Sequence, residues 1–592
     1  MKLSYDDRLQ EILNNYEIEI LDTSALNNNF EGIIIKALQR KCKNRTCALW
    51  GAGQNNTKSS HAAVMITKYA TFIQNMACVI DSNPEFKGKQ FLGYPIIAPE
   101  QISDYGIDLV IIASKNSGDS IKKNLFELDN QCDYFDVYEE LRNQGIQIFN
   151  NFYDENSIYS LIYNYMTQFR EKDNEEALMK LISLYYSIRD FYYAFYYTDV
   201  YVKKRFNGWV KYKEAKKEMV KLLKKISYLN SKKLEDVSLF YIDALRASDV
   251  FDEISGKPKI FKRYISESKL FTEMYSTAVT TYESMMSVIA GRLPLETNVY
   301  ENDFLHKAQE FYLLNHYMEQ GYNINFLVSD CYKIIDETPD VRFIYQNYMP
   351  LKLWTLACSM AETKETCFNF LYFPYEIHFP LLCGFHKNEP VIRAFSDIGI
   401  NEFPASIQEQ YMECVAYTDK QFEFYYDLIG SHTCKVIFSD HSQIVYDPDN
   451  NGKTFNMYYK QKELTTHVPL IISSALIKPK VESGLYSMLD FNSIVYRVLM
   501  GGEVTDLSRD IVRYQYYPLH NPKIREHACE FGFDDYIDGM EVFLSKKFLG
   551  IITATGNKEV YRLGDLSTNI VNEDDGRSYL DYVRTLYHPA YN

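Results

Sequence analysis

The hydrophobic positions along the chain predict an α/β protein built from three successive segments. In residues 1–150, short apolar runs alternate with helix-like stretches, and the runs at 47–50, 77–80 and 109–113 are apolar at every position. Strands that are buried on both faces of a parallel sheet show this uniform pattern. A glycine turn follows the first run and an acidic residue follows the second, which predicts a Rossmann-like βαβ domain.

Residues 151–230 are predicted to form a helical connector. They contain few helix breakers, and their apolar residues recur at helical spacing. Between 216 and 226, lysines lie mostly on the face opposite to Met219, Leu222 and Ile226. A basic amphipathic helix of this kind can lie on a membrane surface. The solvated face of a packed helix is the commoner meaning of a charge run, and we prefer it here.

Residues 231–592 make up the third and largest segment. Apolar runs of strand length are separated in this part of the chain by helical stretches. This pattern predicts a second, larger α/β domain that continues to the C-terminus.

Composition and charge narrow the classes of function. With 63 basic and 79 acidic residues, the chain carries a net charge of −16 and lacks the electrostatic footprint of a nucleic-acid-binding protein. The 11 cysteines form no CxxC pair, which indicates reduced thiols in a reducing compartment. The N-terminus lacks signal-peptide features, and no run approaches the about 18 apolar residues of a membrane span. We therefore expect a cytoplasmic protein with no integral membrane segment, whose oligomeric state the sequence leaves open.

Polar residues of catalytic type follow two of the predicted strands in the large domain. Asp243 follows the apolar run 237–242, and Asp440 and His441 follow the run 435–438. Ligands of open α/β sheets bind at the carboxyl ends of the strands. Taken singly, a strand-end Asp is more often a cap or turn residue.

Two threonines and two histidines extend this set. Thr280 and Thr281 precede a helix-like run, where a hydroxyl would face free N–H groups and a positive dipole that suit an anionic substrate. His378 follows another strand-like run, and His467 precedes one. Each also has an ordinary interpretation, as an N-cap threonine or a structural histidine.

In their order along the chain, these pieces resemble the sulfatase-like branch of the alkaline phosphatase superfamily. The resemblance is carried by VSLFYIDALRASDV for the opening strand, by TTYESMMSVIAGRLP for the nucleophile segment, and by FLYFPYEIHFP for the "HxP" strand. KVIFSDHSQ resembles the "SDHG" strand, and HVPLIIS resembles the "VPLII" strand. The match covers residues 234–502 and implies a large alkaline-phosphatase-like α/β/α domain.

The resemblance implies roles for individual residues. Asp243, Asp440 and His441 would bind a divalent metal together with Thr281, which would be the catalytic nucleophile, with Thr280 as the neighbouring alternative. The donor set suits Zn²⁺ first and Mn²⁺ second. Since two-metal members need Asp-x-x-x-His and none occurs between 300 and 440, one metal is predicted.

The two histidines are implied to bind substrate. His378 would contact its anionic group, and His467 lies near the place of a further basic ligand.

The nucleophile position departs from that of the sulfatases. They need Cys or Ser there for conversion to formylglycine, whereas this chain has Thr281. Threonine is the nucleophile in the phosphoethanolamine transferases, lipoteichoic acid synthases and nucleotide phosphodiesterases of the superfamily. The resemblance therefore implies phosphoryl chemistry rather than sulfate-ester hydrolysis.

The N-terminal segment has a resemblance of its own. ALWGAGQNNTK, then VIDSNPEFKGKQFLGYPIIAPEQI, then DLVIIAS resemble the small Rossmann-like domain of bacterial polysaccharide enzymes such as sugar O-acyltransferases. Gly51 and Gly53 would form the nucleotide-binding turn, and Asp81 would accept ribose hydroxyls. Asn56 occupies the third glycine position of G-x-G-x-x-G, which argues against NAD. A docking or oligomerisation domain is the alternative.

The sequence thus predicts a metal-dependent phosphotransferase of bacterial surface-polysaccharide biosynthesis, such as that of a capsule. It would move a substituted phosphate from a nucleotide-linked donor onto a sugar or glycan acceptor. A phosphodiesterase or sulfatase-like hydrolase of the same superfamily, and a non-catalytic scaffold on this fold, are the alternatives.

Overall fold

The first residues of the chain fold with its C-terminal part rather than with the segment that follows them. Met1–Thr23 and Tyr153–Asn592 form one unit, and Ser24–Phe152 form a second unit inserted between them. Helix α1 (Tyr5–Asn15) therefore belongs to the larger unit. The computed structural model describes residues 3–20, 30–51, 66, 73, 75–91, 93–114, 117–128, 132–143, 157–252, 255–296, 306–329, 334–335, 338–391, 400–402, 404–446, 453–455, 465–474, 477–519, 522–530 and 532–591.

The small unit contains a mainly parallel sheet with the order β3-β4-β2-β1-β5-β6. All neighbouring strands run parallel except β3 and β4. The chain proceeds from β1 to one side of the sheet and later returns to the other side, so β1 and β5 flank a topological switch point. The elements are α2 (Phe30–Lys41), β1 (Cys47–Trp50), β2 (Met76–Ile80), β3 (Gln90–Phe91), β4 (Tyr94–Ile97), β5 (Leu109–Ile112), α3 (Gly118–Glu127), β6 (Asp133–Asp136) and α4 (Val137–Asn143).

The segment predicted as a connector is packed into the larger unit. Its last helix buries the face that carries Met219, Leu222 and Ile226, as the amphipathic pattern indicated. At its end the buried Asn230 donates to the carbonyl oxygens of Ala357 and Leu428, at 2.8 and 2.7 Å. The helices are α5 (Ile158–Lys172), α6 (Glu175–Ser187), α7 (Phe191–Lys204) and α8 (Trp209–Asn230).

A mixed sheet organises the rest of the larger unit. Its order is β10-β9-β11-β7-β13-β15-β8-β16, with β17 also paired to β8. The strands from β10 to β13 are parallel, and β15 alone runs against its neighbours β13 and β8. The strands are β7 (Val237–Ile242), β8 (Ser268–Tyr275), β9 (Asn323–Val328), β10 (Val341–Tyr345), β11 (Cys367–Phe373), β13 (Cys434–Phe438), β15 (His467–Ser473), β16 (Lys480–Glu482) and β17 (Tyr486–Ser487). A separate pair consists of β12 (Ile400–Glu402) and β14 (Lys453–Phe455).

Helices cover both faces of this sheet. Side chains alternate along each strand, so neighbouring residues of β7 show what packs on either face. Leu239 and Tyr241 join a core with Met285 and Val288 on one side. Phe240, between them, meets the ring of Phe422 on the other side, with centroids 5.4 Å apart. The α/β/α class predicted for this segment is therefore observed. The helices are α9 (Ala247–Val250), α10 (Lys262–Ser266), α11 (Thr281–Ala290), α12 (Tyr312–Glu319), α13 (Met349–Glu362), α14 (Ser406–Ile429) and α15 (Phe491–Leu499).

The C-terminal part adds an antiparallel sheet that the hydrophobic pattern did not distinguish. Its order is β18-β19-β20-β21. The backbone N–H of Gln515 donates to the carbonyl oxygen of Thr277 at 2.8 Å, which joins this sheet to the segment before α11. The elements are β18 (Ile511–Tyr516), α16 (Pro522–Glu530), β19 (Met540–Ser545), β20 (Phe548–Thr553), β21 (Lys558–Arg562) and α17 (Asp574–Leu586). Within the described residues, none of the helices has the length and apolar character needed to cross a bilayer.

Candidate active site and metal centre

The sheet order brings the predicted site residues to one edge. Strands β7 and β13 are adjacent and parallel, so Asp243 and the pair Asp440–His441 leave the sheet side by side. Strand β8 is antiparallel to β15, which is antiparallel to β13, so β8 also points its carboxyl end to this edge. The turn that leads into α11 and Thr281 follows β8 there.

Two carboxylates and an imidazole form a buried cluster at this edge. One potential ligand atom from each of Asp243, Asp440 and His441 lies within 4.8 Å of the others. Nε2 of His441 is 3.6 Å from Oδ1 of Asp243 and 3.4 Å from Oδ2 of Asp440. Burial, and then the negative charge of Asp243, raise the pKa of Asp440. The predicted convergence of these residues is therefore observed.

A sharp backbone turn fixes the two aspartates relative to each other. Ala244 has a φ of +62°, which is unusual for a residue other than glycine. In this conformation its N–H faces Oδ1 of Asp440 at 3.4 Å, and the N–H of Leu245 donates to Oγ of Ser439 at 3.0 Å. The turn after β7 is thus tied directly to the turn after β13.

Outer contacts orient two of the three ligand side chains. Nδ1 of His441 donates to the carbonyl oxygen of Ser442 at 2.7 Å, which orients the ring with Nε2 toward the carboxylates. The hydroxyl of Tyr372 donates to Oδ2 of Asp243 at 2.6 Å. The sequence prediction missed Tyr372, since a tyrosine inside an apolar strand gives no signal for this role.

The cluster fits a divalent cation by the chemistry of its donors. Two carboxylates and one imidazole nitrogen, gathered at a single buried point, are a ligand set that a divalent cation takes in proteins. Tetrahedral Zn²⁺ with nitrogen and oxygen ligands separates such donor atoms by about 3.3–3.5 Å, close to the 3.4 and 3.6 Å found here. Asp243, Asp440 and His441 would hold the ion.

Thr281 lies at this cluster, whereas Thr280 is turned away from it. Oγ1 of Thr281 is 3.5 Å from Oδ2 of Asp243 and 3.4 Å from Nε2 of His441, and the side chain is buried. Thr281 is the first residue of α11, where backbone N–H groups are free and the helix dipole is positive. Thr280 is the N-cap residue, and its hydroxyl contacts the carboxylate of Glu283 instead.

The two remaining histidines occupy different surroundings. His378 lies beside the cluster, with its ring centroid 6.5 Å from that of His441, and its Nδ1 donates to the carbonyl oxygen of Phe379. Nε2 of His467 donates to the carbonyl oxygen of Thr272 at 2.8 Å, and its ring stacks on Tyr275. These contacts hold the imidazole of His467 against strand β8, and its contact with substrate stays a prediction.

In the small unit, Gly51, the first glycine of the predicted turn, lies where a side chain would not fit. Gly51 has a φ of +101°, and a Cβ there would lie 2.8 Å from the backbone nitrogen of Ser114, which follows β5. Gly53 lies outside the described residues. Oδ1 of Asp81 accepts from the N–H of Asn83 at 2.8 Å, so one oxygen of this carboxylate is already used in a turn.

Comparisons with known proteins add the following similarities. A family described as "C2185-like, N-terminal" matches residues 43–133. Comparison with curated proteins gave no significant match.

Among solved structures, the phosphonate monoester hydrolase of Agrobacterium radiobacter is 12% identical with a TM-score of 0.41, covering 60% of this chain and 94% of its own. A putative sulfatase from Bacteroides thetaiotaomicron is 11% identical with a TM-score of 0.42, over 60% and 91%. A protein of the alkaline phosphatase superfamily from Vibrio parahaemolyticus is 15% identical with a TM-score of 0.36, over 57% and 87%. Any assignment of function therefore depends on the side chains of this chain.

Proposed function

We propose that the larger unit is a metal-dependent phosphotransferase that uses Thr281 as its nucleophile. The observation that supports this most directly is the position of Oγ1 of Thr281, 3.5 Å from Asp243 and 3.4 Å from His441 at the start of a helix. A divalent cation held by Asp243, Asp440 and His441 would supply positive charge that lowers the pKa of this hydroxyl.

The reaction would proceed in two displacements at phosphorus. Oγ1 of Thr281 gives its proton to water and forms a bond to phosphorus. The bond from phosphorus to the donor's leaving oxygen breaks, and that oxygen departs with the electron pair, as an anion or after taking up a proton from water. An acceptor hydroxyl then attacks the phospho-threonine and gives up its proton, while the bond from phosphorus to Oγ1 breaks and Oγ1 takes up a proton to restore the threonine hydroxyl. The N–H groups at the start of α11 face the non-transferring oxygens, and His378 lies within reach of the same region.

A sugar hydroxyl is the acceptor that we propose, with a nucleotide-linked substituted phosphate as donor. The glycan context rests on the resemblance of the N-terminal segment to bacterial polysaccharide enzymes. Hydrolysis shares the first displacement and differs only in the second, where water takes the place of the sugar. The two activities therefore depend on the same residues.

The test compares matched threonine variants with added Zn²⁺ or Mn²⁺. Thr281→Ala should lower the turnover of aryl phosphodiesters or CDP-linked donors by at least about 10³-fold, because a nucleophile acts as part of one catalytic unit. Thr280→Ala should lose far less, and Thr281→Ser should keep part of the activity. Intact-mass measurement should detect a phosphorylated wild-type protein that is absent from Thr281→Ala.

Two results would contradict the proposal. Loss of turnover in Thr280→Ala alone would reverse the assignment of the nucleophile. A wild-type protein that binds no metal at Asp243, Asp440 and His441 would favour the scaffold alternative. Adding sugar acceptors then separates transfer from hydrolysis, through the mass of the product.

For the small unit we propose binding of a nucleotide or sugar nucleotide at the carboxyl ends of β1 and β5. The support is the switch point between these strands and the close approach of Gly51 to Ser114. Titration calorimetry with CDP- and UDP-linked sugars tests this. Absence of heat with each of them, together with loss of self-association when Ser24–Phe152 are removed, would favour the docking alternative.

A further inference from the structure

A second cluster of metal-binding side chains lies away from the candidate active site. Cys383 and His386 belong to the loop that follows β11, and Cys414 lies on α14. One ligand atom from each of these residues lies within 4.8 Å of the others. The elements that carry them are a loop without regular structure and a helix that packs on the sheet.

The distances within this cluster match those between ligands of one tetrahedral ion. Sγ of Cys383 is 3.6 Å from Nε2 of His386. Ligands at the usual Zn–S and Zn–N lengths, at tetrahedral angles, lie about 3.6 Å apart. The geometry therefore requires no large movement of these two side chains to accommodate an ion.

The histidine is held in the orientation that metal binding needs. Nδ1 of His386 lies 3.0 Å from Oε2 of Glu413, which neighbours Cys414 on α14. A carboxylate that accepts from the other ring nitrogen is the usual outer partner of a metal-bound histidine. Oε1 of Glu413 also accepts from the N–H of Lys387, so the carboxylate is fixed from the loop as well.

Their burial distinguishes these cysteines from those of a reactive cysteine site, which substrate must reach. Cys383 and Cys414 are 0% exposed and His386 is 1% exposed, so a substrate has no access to either sulfur. As thiols, Cys383 donates to the carbonyl oxygen of Phe385 at 3.2 Å and Cys414 donates to that of Leu381 at 3.1 Å, and an ion would take the place of these two protons. The N–H of Cys383 also points to Nε2 of His386 at 3.2 Å, a contact that an ion would replace.

We propose that Cys383, His386 and Cys414 bind a structural Zn²⁺ that ties the loop after β11 to α14. Two thiolates and an imidazole are soft and borderline donors, which suit Zn²⁺ and do not suit Mg²⁺ or Ca²⁺. His378 lies in the same loop, so this ion would hold the segment that borders the candidate active site without taking part in its chemistry.

Cobalt substitution tests this site independently of catalysis. Thiolate ligands give Co²⁺ a charge-transfer absorption in the near ultraviolet, and Asp243, Asp440 and His441 contain no sulfur. In an Asp440→Asn background, which weakens the other site, the protein should bind one equivalent of Co²⁺ and show this absorption. Added Zn²⁺ should abolish it by displacement.

Cysteine variants then locate the ligands. Cys383→Ser and Cys414→Ser should each remove at least half of the absorption, because each takes away one of two sulfur ligands. Cys367→Ser, which changes a buried thiol at the start of β11, should leave it unchanged. Glu413→Gln keeps both sulfurs and should weaken the affinity for Co²⁺ by about 10–100-fold. This milder variant keeps the test decisive where a serine variant fails to fold.

Three results would overturn the proposal. The first is the absence of any thiolate-to-cobalt absorption in the wild type and in Asp440→Asn. The second is an absorption of undiminished strength in either Cys383→Ser or Cys414→Ser. The third is a Cys383–Cys414 disulfide found by mass spectrometry in protein purified under argon. None of these results depends on turnover. They can therefore be interpreted even if the proposed function is wrong.

Discussion

At the scale of single residues, threonine at position 281 limits the chemistry open to the candidate site. Threonine cannot be oxidised to an aldehyde, so the geminal diol through which sulfatases release sulfate cannot form. A threonine oxygen can attack phosphorus, and its phosphoester can then be cleaved by a second nucleophile. Attack on sulfur would instead leave a sulfo-threonine with no comparable route of release.

The function proposed above therefore requires that the protein prefers phosphate esters over sulfate esters. We expect kcat/KM for an aryl phosphodiester to exceed that for the matched aryl sulfate by at least about 10³-fold, or roughly 4 kcal/mol of transition-state discrimination. Both esters carry the same leaving group, so the ratio reports the reacting centre alone. Comparable turnover of the two would exclude the proposed reaction class.

Tyr372 provides a second prediction at this scale, because its hydroxyl orients Asp243. Tyr372→Phe should keep the ring packed on Tyr241 and the fold intact, but lower metal affinity about 10–100-fold, as loss of an outer partner usually does. Tyr264→Phe is the matched control, since its buried hydroxyl donates to the carbonyl oxygen of Phe422 instead. Equal losses of affinity in both variants would remove the specific role of Tyr372.

At the scale of elements, the connection from α14 to β13 positions Asp440 and His441. Helix α14 ends at Ile429, and Gly430 turns the chain with a φ of +95°. A Cβ at position 430 would lie 2.5 Å from the carbonyl oxygen of Asn230, at the end of α8. Only glycine fits this turn, since both the backbone conformation and the space exclude a side chain.

Gly430→Ala should therefore destabilise the larger unit by about 3 kcal/mol or more, from strain together with the steric clash. Gly321→Ala is the control, because Gly321 also has a positive φ of +80° but nothing lies within 4 Å of the added Cβ. That variant should cost only about 1–2 kcal/mol. Urea unfolding of the full chain measures both, and equal effects would mean that the clash is relieved by movement of α8.

At the scale of the whole molecule, the small unit is inserted into the larger one, and α1 completes the latter. Asp6 on α1 pairs with Arg189 at 2.9 Å and accepts from Nε1 of Trp354 at 2.7 Å. Arg189 is fully buried, so the loss of its carboxylate partner leaves an unpaired charge inside the protein. The N-terminal residues thus belong to the fold of a unit whose main part begins at Tyr153.

Asp6→Ala should accordingly destabilise the larger unit by about 2–3 kcal/mol, because two buried donors lose their acceptor. Glu11→Ala, at an exposed position of the same helix, should change little. Replacing Ser24–Phe152 by a flexible linker should leave a unit that still unfolds cooperatively, whereas removing the first 23 residues should not. Equal stability of the two truncated chains by calorimetry would contradict this.

The sequence by itself determined the local features of this protein. The apolar runs before Asp243 and before Asp440–His441 are buried strands followed by polar residues. This pattern depends only on residues that are neighbours in the sequence. The pattern of α8 also predicted its buried face correctly. The sequence predicted a helix that begins after Thr281, whereas in the structure Thr281 is itself the first residue of α11.

The tertiary structure decided which distant residues meet. The pairing of β7 with β13 brings Asp243 to Asp440, Tyr372 reaches Asp243 from β11, and Cys383 meets Cys414 across a loop and a helix. The insertion of the small unit likewise depends on α1 packing beside helices that follow it much later in the chain. Such contacts follow from strand order and from packing of the whole core, which no local pattern of hydrophobic and polar residues encodes.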